Sequence, residues 1–468
     1  MEMIKLSTEL IAELTDGKLY GQDCCVEGVS IDTRTLRHGE LFVALNGDRH
    51  DGHDYIDDAF KKGACAVMVQ KSIQSNLPWI LVKNCREALG ILAEFCRNQF
   101  PGIVFGITGS NGKTTVKELL KSILSGKGRV LATHGNQNND IGVPLTILGL
   151  LHSPFDYLVV EMGSNHPGEI DYLARIVRPD IAVVTSIGQA HLSGFGDVQG
   201  VIREKLSIFD HLNTKGKYSY GVIREDCGSY PYMSERLKDL DIRTFGVGPH
   251  AQIKVVDHKK HEDESKEKTN LYIKSKGELL KVRTRMLGEH NRINIAAAIA
   301  ALSGVDIERE KILEGIERCH GAAGRLQLKE LRSGKRIIDD TYNANPTSVR
   351  VAIDVLADLD GEKNLVLGEM QELGSDPYDK YFELGHYARM KGIHRVLVCG
   401  HEAKPLIDGF GKKGCFFPDQ ESLIAFLKED IKTESGVRNY LVKGSRAAAM
   451  ENVLESIMNG EANAAGSC

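Results

Sequence analysis

The chain has 468 residues, which at roughly 150 residues per domain predicts about three domains, each long enough to bury its own core. Lys and Arg total 59 and Asp and Glu 64, so the net charge of −5 argues against a nucleic-acid-binding protein. Charged residues before Tyr20 exclude a signal peptide, and no stretch reaches the roughly 20 apolar residues of a membrane span. We therefore expect a cytoplasmic chain without a membrane span.

Short apolar runs alternate with helical patterns in three successive blocks, which is typical of an α/β protein. The first block, 1–100, predicts a small α/β domain. The second, 101–320, opens with the apolar strand Ile103–Thr108 and predicts a central domain with a doubly wound, mostly parallel sheet. The third, 321–468, repeats strand and helix patterns from Arg336 onwards and predicts a Rossmann-like C-terminal domain.

A glycine-rich turn follows the strand Ile103–Thr108 and opens a helix near Lys113. Residues 108–115 read Thr-Gly-Ser-Asn-Gly-Lys-Thr-Thr, a variant of the phosphate-loop pattern whose first glycine is replaced by Ile107. In such a loop, backbone amides surround phosphate oxygens, the lysine reaches the β and γ phosphates, and the next hydroxyl binds Mg²⁺. The predicted phosphate-binding residues are Thr108, Gly109, Ser110, Asn111, Gly112, Lys113, Thr114 and Thr115.

Two further polar residues follow predicted strands of the same sheet. Glu161 ends the strand that begins at Tyr157, and His191 comes shortly after the strand that begins at Ile181. Because ligands bind at the carboxyl edge of such sheets, both side chains are candidates to hold a metal ion next to the phosphates. A strand-end surface acid and an ordinary loop histidine are the structural alternatives.

Motifs along nearly the whole chain resemble those of the Mur ligase family of ATP-dependent peptide ligases. The resemblance is carried by the phosphate loop and by segments 161–163, 190–192, 290–298, 324–325 and 339–346. Segments 339–348, 367–374 and 442–446 further resemble the members that join D-Ala-D-Ala to a UDP-N-acetylmuramoyl tripeptide. The resemblance implies ATP-driven amide synthesis through an acyl phosphate, on small-molecule substrates and by a monomer.

The same resemblance implies a metal-assisted catalytic site. Lys113, His191 and Lys205 are its catalytic residues, and Lys205 matches the lysine that is carbamylated in this family. Two Mg²⁺ ions are implied. The predicted metal ligands are Thr114, Glu161, His191 and carbamylated Lys205. The chain departs from the family pattern at Ser207, where a glutamate usually stands.

The remaining site residues are assigned by resemblance to three groups. Asn291 and Asn294 are predicted near adenine, and Arg325 and Asp340 are predicted on phosphate and ribose, where the C-terminal domain closes on ATP and binds the incoming dipeptide. The first domain is predicted to bind the UDP-sugar. The predicted substrate residues are Ser30, Arg34 and Gly47 for the UDP portion, Asn136, Asn138 and Asn139 for the muramoyl or peptide portion, and Tyr342, Asn343, Asn345 and Ser348 for the dipeptide.

Several alternatives remain open from the sequence. Another Mur ligase or a folylpolyglutamate synthase would use a different amine. A phosphate-loop ATPase would release phosphate without any amine, and a nucleotide-sugar binding protein would show no turnover.

Overall fold

A computed structural model describes residues 4–47, 50–188, 195–256, 269–275, 277–331, 333–371, 373, 376–433 and 436–463. Helices and strands alternate throughout, and the main sheets are mostly parallel. The predicted α/β fold class is therefore confirmed. None of the helices in these ranges combines the length and hydrophobicity that crossing a bilayer requires.

The N-terminal part contains a five-stranded sheet in the order β2-β7-β6-β5-β4, and β1 pairs with β3 in a separate ribbon. Only the β2–β7 pair of the larger sheet is antiparallel. The elements are β1 (Leu6–Ser7), α1 (Thr8–Leu14), β2 (Lys18–Tyr20), β3 (Cys25–Val26), β4 (Gly28–Ser30), β5 (Glu40–Val43), α2 (Ile56–Lys61), β6 (Ala66–Val69), β7 (Trp79–Leu81) and α3 (Cys85–Gln99).

The central part contains a nine-stranded sheet in the order β16-β15-β14-β13-β12-β11-β8-β10-β9. The elements up to the sixth strand of this part are β8 (Ile103–Thr108), α4 (Lys113–Leu124), β9 (Val130–Ala132), α5 (Gly142–Leu148), β10 (Tyr157–Glu161), α6 (Glu169–Val177), β11 (Ile181–Val184), α7 (Val198–Leu206), β12 (Tyr220–Arg224), α8 (Tyr230–Arg236) and β13 (Ile242–Gly246). They are followed by β14 (Ile253–Val256), β15 (Thr269–Ser275), β16 (Glu278–Thr284), α9 (Glu289–Leu302) and α10 (Arg309–Arg318).

The strand β8 lies at the point where the order of this sheet reverses. It is parallel to β10 on one side and to β11 on the other. These strands are buried along almost their whole length, which explains their continuous apolar sequence without alternation. A ligand site is expected at the carboxyl end of β8, because the neighbouring loops diverge there.

The C-terminal part contains a six-stranded sheet in the order β17-β18-β22-β19-β20-β21, with only β17 antiparallel to its neighbour. Two apolar clusters cover its two faces. The elements are β17 (Gln327–Glu330), β18 (Arg336–Asp340), α11 (Pro346–Ala357), β19 (Glu362–Leu367), α12 (Pro377–Met390), β20 (Arg395–Cys399), α13 (Pro405–Phe410), β21 (Gly414–Phe417), α14 (Gln420–Thr433), β22 (Arg438–Lys443) and α15 (Glu451–Asn463).

The described residues group into two compact units. The first holds both the N-terminal and central parts, including 270–283 and 292–318, and the second holds 284–291 and the chain from Cys319 onwards. One apolar cluster runs through the N-terminal and central parts, from Leu6 to Leu237. The border predicted between residues 100 and 101 therefore crosses a continuous core, and the three domain boundaries stay a prediction.

Candidate active site

The turn between β8 and α4 has the backbone of a phosphate loop. Gly109 and Gly112 have φ values of +141° and +86°, a region that favours glycine. A Cβ at Gly109 would lie 2.2 Å from the Thr185 hydroxyl oxygen, and one at Gly112 would lie 2.4 Å from the Asn294 amide oxygen. Both glycines are thus favoured by backbone conformation, and Gly109 is also required by space, because its Cβ would meet the Ser186 backbone.

The loop is fixed by the residues that follow β11. Ser110 N donates to Ser186 O at 2.9 Å, and Asn111 N donates to the Ser186 hydroxyl at 2.9 Å. Thr185 Oγ1 in turn donates to Asn111 O at 2.5 Å. The loop conformation is therefore already set by protein contacts.

The helix α4 begins at the end of this loop with Lys113. The first amides of a helix have no partner within the helix and carry partial positive charge, and the first turn of α4 contains no acidic residue. The Lys113 ammonium donates to Gly109 O at 2.8 Å, so it lies over the loop. Thr115 is buried, and the Thr108 hydroxyl donates to Met162 O at 3.0 Å, which ties β8 to the end of β10. This arrangement suits an anion such as a nucleotide phosphate.

Glu161 lies at the carboxyl end of β10 and is 1% exposed. Its Oε1 accepts hydrogen bonds from Thr114 Oγ1 at 3.2 Å and from Asn138 Nδ2 at 2.8 Å. Its Oε2 is buried and has no hydrogen-bond partner among the residues that the structure describes. A buried carboxylate oxygen without a partner is costly, and a bound cation would remove that cost. The residues present therefore fit Mg²⁺ at this position.

Residues 133–140, which we call the asparagine segment, lie between the end of β9 and the start of α5. Asn138 donates to Glu161, and its main-chain oxygen accepts from Gly163 N at 2.8 Å. Asn139 Oδ1 accepts from Gly142 N at 2.9 Å at the start of α5. Asn136 is exposed. The predicted substrate roles of these three asparagines stay predictions, but two of the three side chains are engaged with the protein.

Lys205 lies on α7 and is 3% exposed. Its ammonium donates to the Ser164 hydroxyl at 2.7 Å. Burial first, and then the charge of Lys113, lower the pKa of Lys205 to about 8. With that pKa the amine is neutral in roughly a tenth of the molecules at pH 7, far more than for an ordinary lysine. Since CO₂ adds only to a neutral amine, the environment favours the carbamylation that the sequence resemblance implies.

Ser207, where the chain departs from the family pattern, makes a local contact with the main chain of its own helix turn. Its hydroxyl donates to the main-chain oxygen of Glu204 at 2.7 Å. The Glu204 carboxylate accepts from Gly168 N and Ile170 N and so stabilises the start of α6. His191, the fourth predicted metal ligand, lies outside the described residues. Within the described ranges, no three His, Cys, Asp or Glu side chains form a cluster.

In the second unit, the predicted residue Asp340 forms a buried ion pair. Its carboxylate accepts from Lys443 Nζ at 2.6 Å and from Leu326 N at 3.2 Å. Burial raises the pKa of Asp340 and lowers the pKa of Lys443, although each group opposes the shift of the other. Lys443 also donates to Asn343 O at 2.8 Å, so it fixes the turn that follows β18.

The other predicted residues of this turn are placed by local contacts. The exposed Arg325 guanidinium lies 4.3 Å from the centre of the Tyr342 ring. Asn345 and Ser348 form a capping box at the start of α11, with Pro346 at its first turn. Asn343 Oδ1 accepts from Ala344 N at 2.8 Å. Their contacts with a dipeptide stay predictions.

The two asparagines predicted near adenine lie in different units. Asn294 belongs to the first unit, where its amide oxygen borders Gly112 of the phosphate loop. Asn291 belongs to the second unit, where its Nδ2 donates to Leu287 O at 2.7 Å.

The residues predicted to bind the UDP portion lie in two places, Ser30 and Arg34 at the end of β4 and in the turn after it, and Gly47 in the loop after β5. The Ser30 hydroxyl donates to Asp32 O at 3.0 Å, and Arg34 forms an exposed ion pair with Asp32 at 2.7 Å. Gly47 N donates to His50 O at 3.0 Å. These contacts keep Arg34 at the surface, and its substrate role stays a prediction.

Comparison with known proteins identifies the family. The models of the Mur ligase family catalytic domain, the Mur ligase middle domain and the Mur ligase glutamate ligase domain match residues 26–97, 107–302 and 324–458. The UDP-N-acetylmuramoyl-tripeptide--D-alanyl-D-alanine ligase of Escherichia coli is 36% identical over 464 residues, covering 97% of this chain and 99% of that protein. This chain belongs to the Mur ligase family.

Other relatives agree with this Mur ligase assignment. The ligase of the same name from Bacillus subtilis is 33% identical, covering 97% of this chain and 99% of that protein. A crystal structure of MurF from Acinetobacter baumannii matches with a TM-score of 0.88 at 31% identity, covering 98% of this chain and 100% of that one. The MurF ligase of Thermotoga maritima in complex with ADP matches with a TM-score of 0.77 at 29% identity, covering 93% and 98%. The chain has the three-domain α/β fold of the Mur ligases.

The sequence alone gives no role to several polar residues that hold predicted site residues within each unit. In the second unit, Lys443 lies in one of the family motifs and pairs with Asp340. Ser164 contacts Lys205, and Thr133 Oγ1 accepts from Glu161 N at 2.9 Å. These contacts join residues far apart in sequence, so no local pattern pointed to them.

The Lys443–Asp340 pair predicts a large stability effect. Lys443→Met leaves the buried Asp340 carboxylate without its cation, and we expect a loss of about 3–5 kcal/mol in the free energy of unfolding, measured by urea denaturation. Lys329→Met removes the lysine partner of the adjacent Asp339, but Lys329 is 33% exposed, so its loss should stay near 1 kcal/mol. Equal losses in the two variants would contradict this explanation.

Proposed function

We propose that this chain joins the carboxylate of a UDP-N-acetylmuramoyl tripeptide to the amine of D-Ala-D-Ala, converting ATP to ADP and phosphate. The observation that carries the proposal is the similarity to ligases of that name over 97% of the chain. The phosphate loop, the buried Glu161 and the buried Lys205 supply groups that the reaction needs.

The chemistry explains why a phosphate loop belongs in an amide ligase. A carboxylate does not react with an amine in water, because it lacks a leaving group. Transfer of the γ-phosphoryl group of ATP to a carboxylate oxygen gives an acyl phosphate, which the amine attacks to form a tetrahedral intermediate that expels phosphate. Negative charge spreads over the phosphoryl oxygens in the first step, where the Lys113 ammonium and the α4 amides stabilise it.

The proposed metal ligands are Thr114 and Glu161, with His191 and carbamylated Lys205 completing the set. Mg²⁺ bound there would supply positive charge to the phosphoryl oxygens. Carbamylation converts the Lys205 cation, which would repel Mg²⁺, into an anion that binds it. The strongest support for a cation at this position is Glu161 Oε2, which is buried and accepts no hydrogen bond from any residue that the structure describes.

The remaining roles are proposed by resemblance. Ser30, Arg34 and Gly47 bind the UDP portion of the substrate. Asn291 and Asn294 contact adenine, and Arg325 and Asp340 contact the phosphate and ribose of ATP. We further propose that the enzyme is cytoplasmic and monomeric.

If the proposed function is correct, phosphate release from ATP requires both the UDP-N-acetylmuramoyl tripeptide and the amine D-Ala-D-Ala. With ATP, Mg²⁺ and UDP-N-acetylmuramoyl tripeptide, release should be low without D-Ala-D-Ala and should rise at least about 100-fold with it, because the acyl phosphate is consumed only by the amine. Mass spectrometry should record a product heavier by the dipeptide less one water.

The controls separate this function from its alternatives. Lys113→Ala should abolish the release, whereas Lys121→Ala, an exposed lysine on the same helix, should not. Release indifferent to the dipeptide would indicate an ATPase, and a product formed only with another amine would indicate a different ligase of the family.

The carbamate predicts chemical rescue. Lys205→Ala should lower kcat by about 10²–10³-fold, and a small carboxylic acid should restore part of the activity by replacing the missing anion. In the unchanged protein, activation by bicarbonate should increase as the pH rises through about 8, because the neutral amine then predominates.

Lys215→Ala, which removes an exposed lysine, should show neither the loss nor the response to acid. No rescue at any concentration of acid would count against the carbamate.

A further inference from the structure

The helix α4 carries a second lysine, Lys117, which is 1% exposed. Its ammonium donates to Thr133 O at 2.9 Å and to Gly135 O at 3.3 Å, and it forms an ion pair with the Glu118 carboxylate at 2.8 Å. The ammonium thus has two hydrogen-bond acceptors and a neighbouring carboxylate that balances its charge. A buried ammonium would be unfavourable without such partners.

The two carbonyl groups belong to the asparagine segment, which starts directly after β9 and contains neither helix nor strand. Lys117 therefore fixes this irregular segment to α4. Since α4 also begins with Lys113 and Thr114 of the phosphate loop, one helix carries both the loop and the anchor of the asparagine segment.

The anchored segment holds Glu161 from two sides. Thr133 Oγ1 accepts from Glu161 N at 2.9 Å, and Asn138 Nδ2 donates to Glu161 Oε1 at 2.8 Å. The Asn138 main-chain oxygen also accepts from Gly163 N at 2.8 Å. With Oε1 occupied, the carboxylate presents Oε2, for which the described part of the chain offers no hydrogen-bond partner.

We propose that Lys117 is a positioning residue, which holds the asparagine segment on α4 so that Asn138 and Thr133 orient Glu161 with Oε2 directed at a divalent cation. Lys117 acts through the segment and makes no contact with substrate or cation. The inference rests on the proposed function only in taking Glu161 as a cation ligand.

A purely structural lysine is the competing explanation, and the full-length chain offers a matched control for it. Lys335 in the second unit is 4% exposed, and its ammonium donates to the main-chain oxygen of Ile431. Lys335→Met should therefore destabilise the protein in a comparable way without affecting Glu161.

Two measurements test the positioning role. Hydrogen exchange of the Glu161 and Gly163 amides, without metal or nucleotide, should become faster in Lys117→Met and remain unchanged in Lys335→Met. Binding of Mn²⁺ to the ADP-loaded chain, followed by electron paramagnetic resonance, should weaken about 10-fold in Lys117→Met, which is the size expected when the support of a metal ligand is removed.

A double-mutant cycle tests the route through Asn138. Asn138→Ala should weaken Mn²⁺ binding about 10-fold, and Lys117→Met combined with it should weaken binding no further, because both changes remove the same support. If Lys117→Met fails to fold, Lys117→Gln, whose amide still donates to one carbonyl, replaces it in every measurement.

Unchanged Mn²⁺ affinity in the folded Lys117 variant, or losses that add in the double variant, would overturn the positioning role. These outcomes are independent of the amine substrate. A failure of phosphate release to depend on D-Ala-D-Ala would overturn the proposed function while leaving the Mn²⁺ comparison valid.

Discussion

The buried carboxylate of Glu161 is the group on which the rest of the catalytic edge depends. Its Oε1 joins Thr114 of the phosphate-loop helix to Asn138 of the asparagine segment. Its Oε2 is buried and finds no partner within the described ranges of the chain, which is an unfavourable state for a carboxylate. A cation is the partner that would remove this cost, and the amides at the start of α4 favour phosphate beside it. One unsatisfied oxygen thus links the fold to the chemistry of nucleotide binding.

The register of the central sheet explains why these groups meet. Glu161 on β10 lies opposite Ile107 on β8, and Val184 on β11 lies opposite Thr108. All three strands are parallel, so their carboxyl ends reach the same edge and their loops diverge around it. Lys205 comes from a helix, and burial together with the charge of Lys113 lowers its pKa. Burial thus acts on both groups, because it makes the charge of Glu161 unfavourable and leaves the Lys205 amine neutral more often than an ordinary lysine.

Local signals were predictable from the sequence, and contacts between distant residues were not. The phosphate loop was predictable because glycine, lysine and hydroxyl residues follow one another between a strand and a helix. The start of α11 was predictable because Asn345 followed by Pro346 is typical of a helix N-terminus, whereas the return contact of Ser348 appears only in the structure. The contact of the Asn138 amide with Glu161 was not predictable, because nothing in an asparagine-rich turn indicates it. Lys117 received no role, since a lysine within a helix normally predicts an exposed side chain.

The most direct test that Glu161 binds the cation beside the nucleotide is calorimetric titration of ADP into the full chain and into Glu161→Gln, each with and without Mg²⁺. Glutamine keeps the shape of the side chain and removes its charge. If Glu161 binds Mg²⁺, the ion should tighten ADP binding to the unchanged chain. This increase in ADP affinity should be about 10-fold or more smaller in Glu161→Gln, while ADP binding without metal should be the same in both proteins. An equal increase in ADP affinity on adding Mg²⁺ to both proteins would contradict the role of Glu161 as a cation ligand.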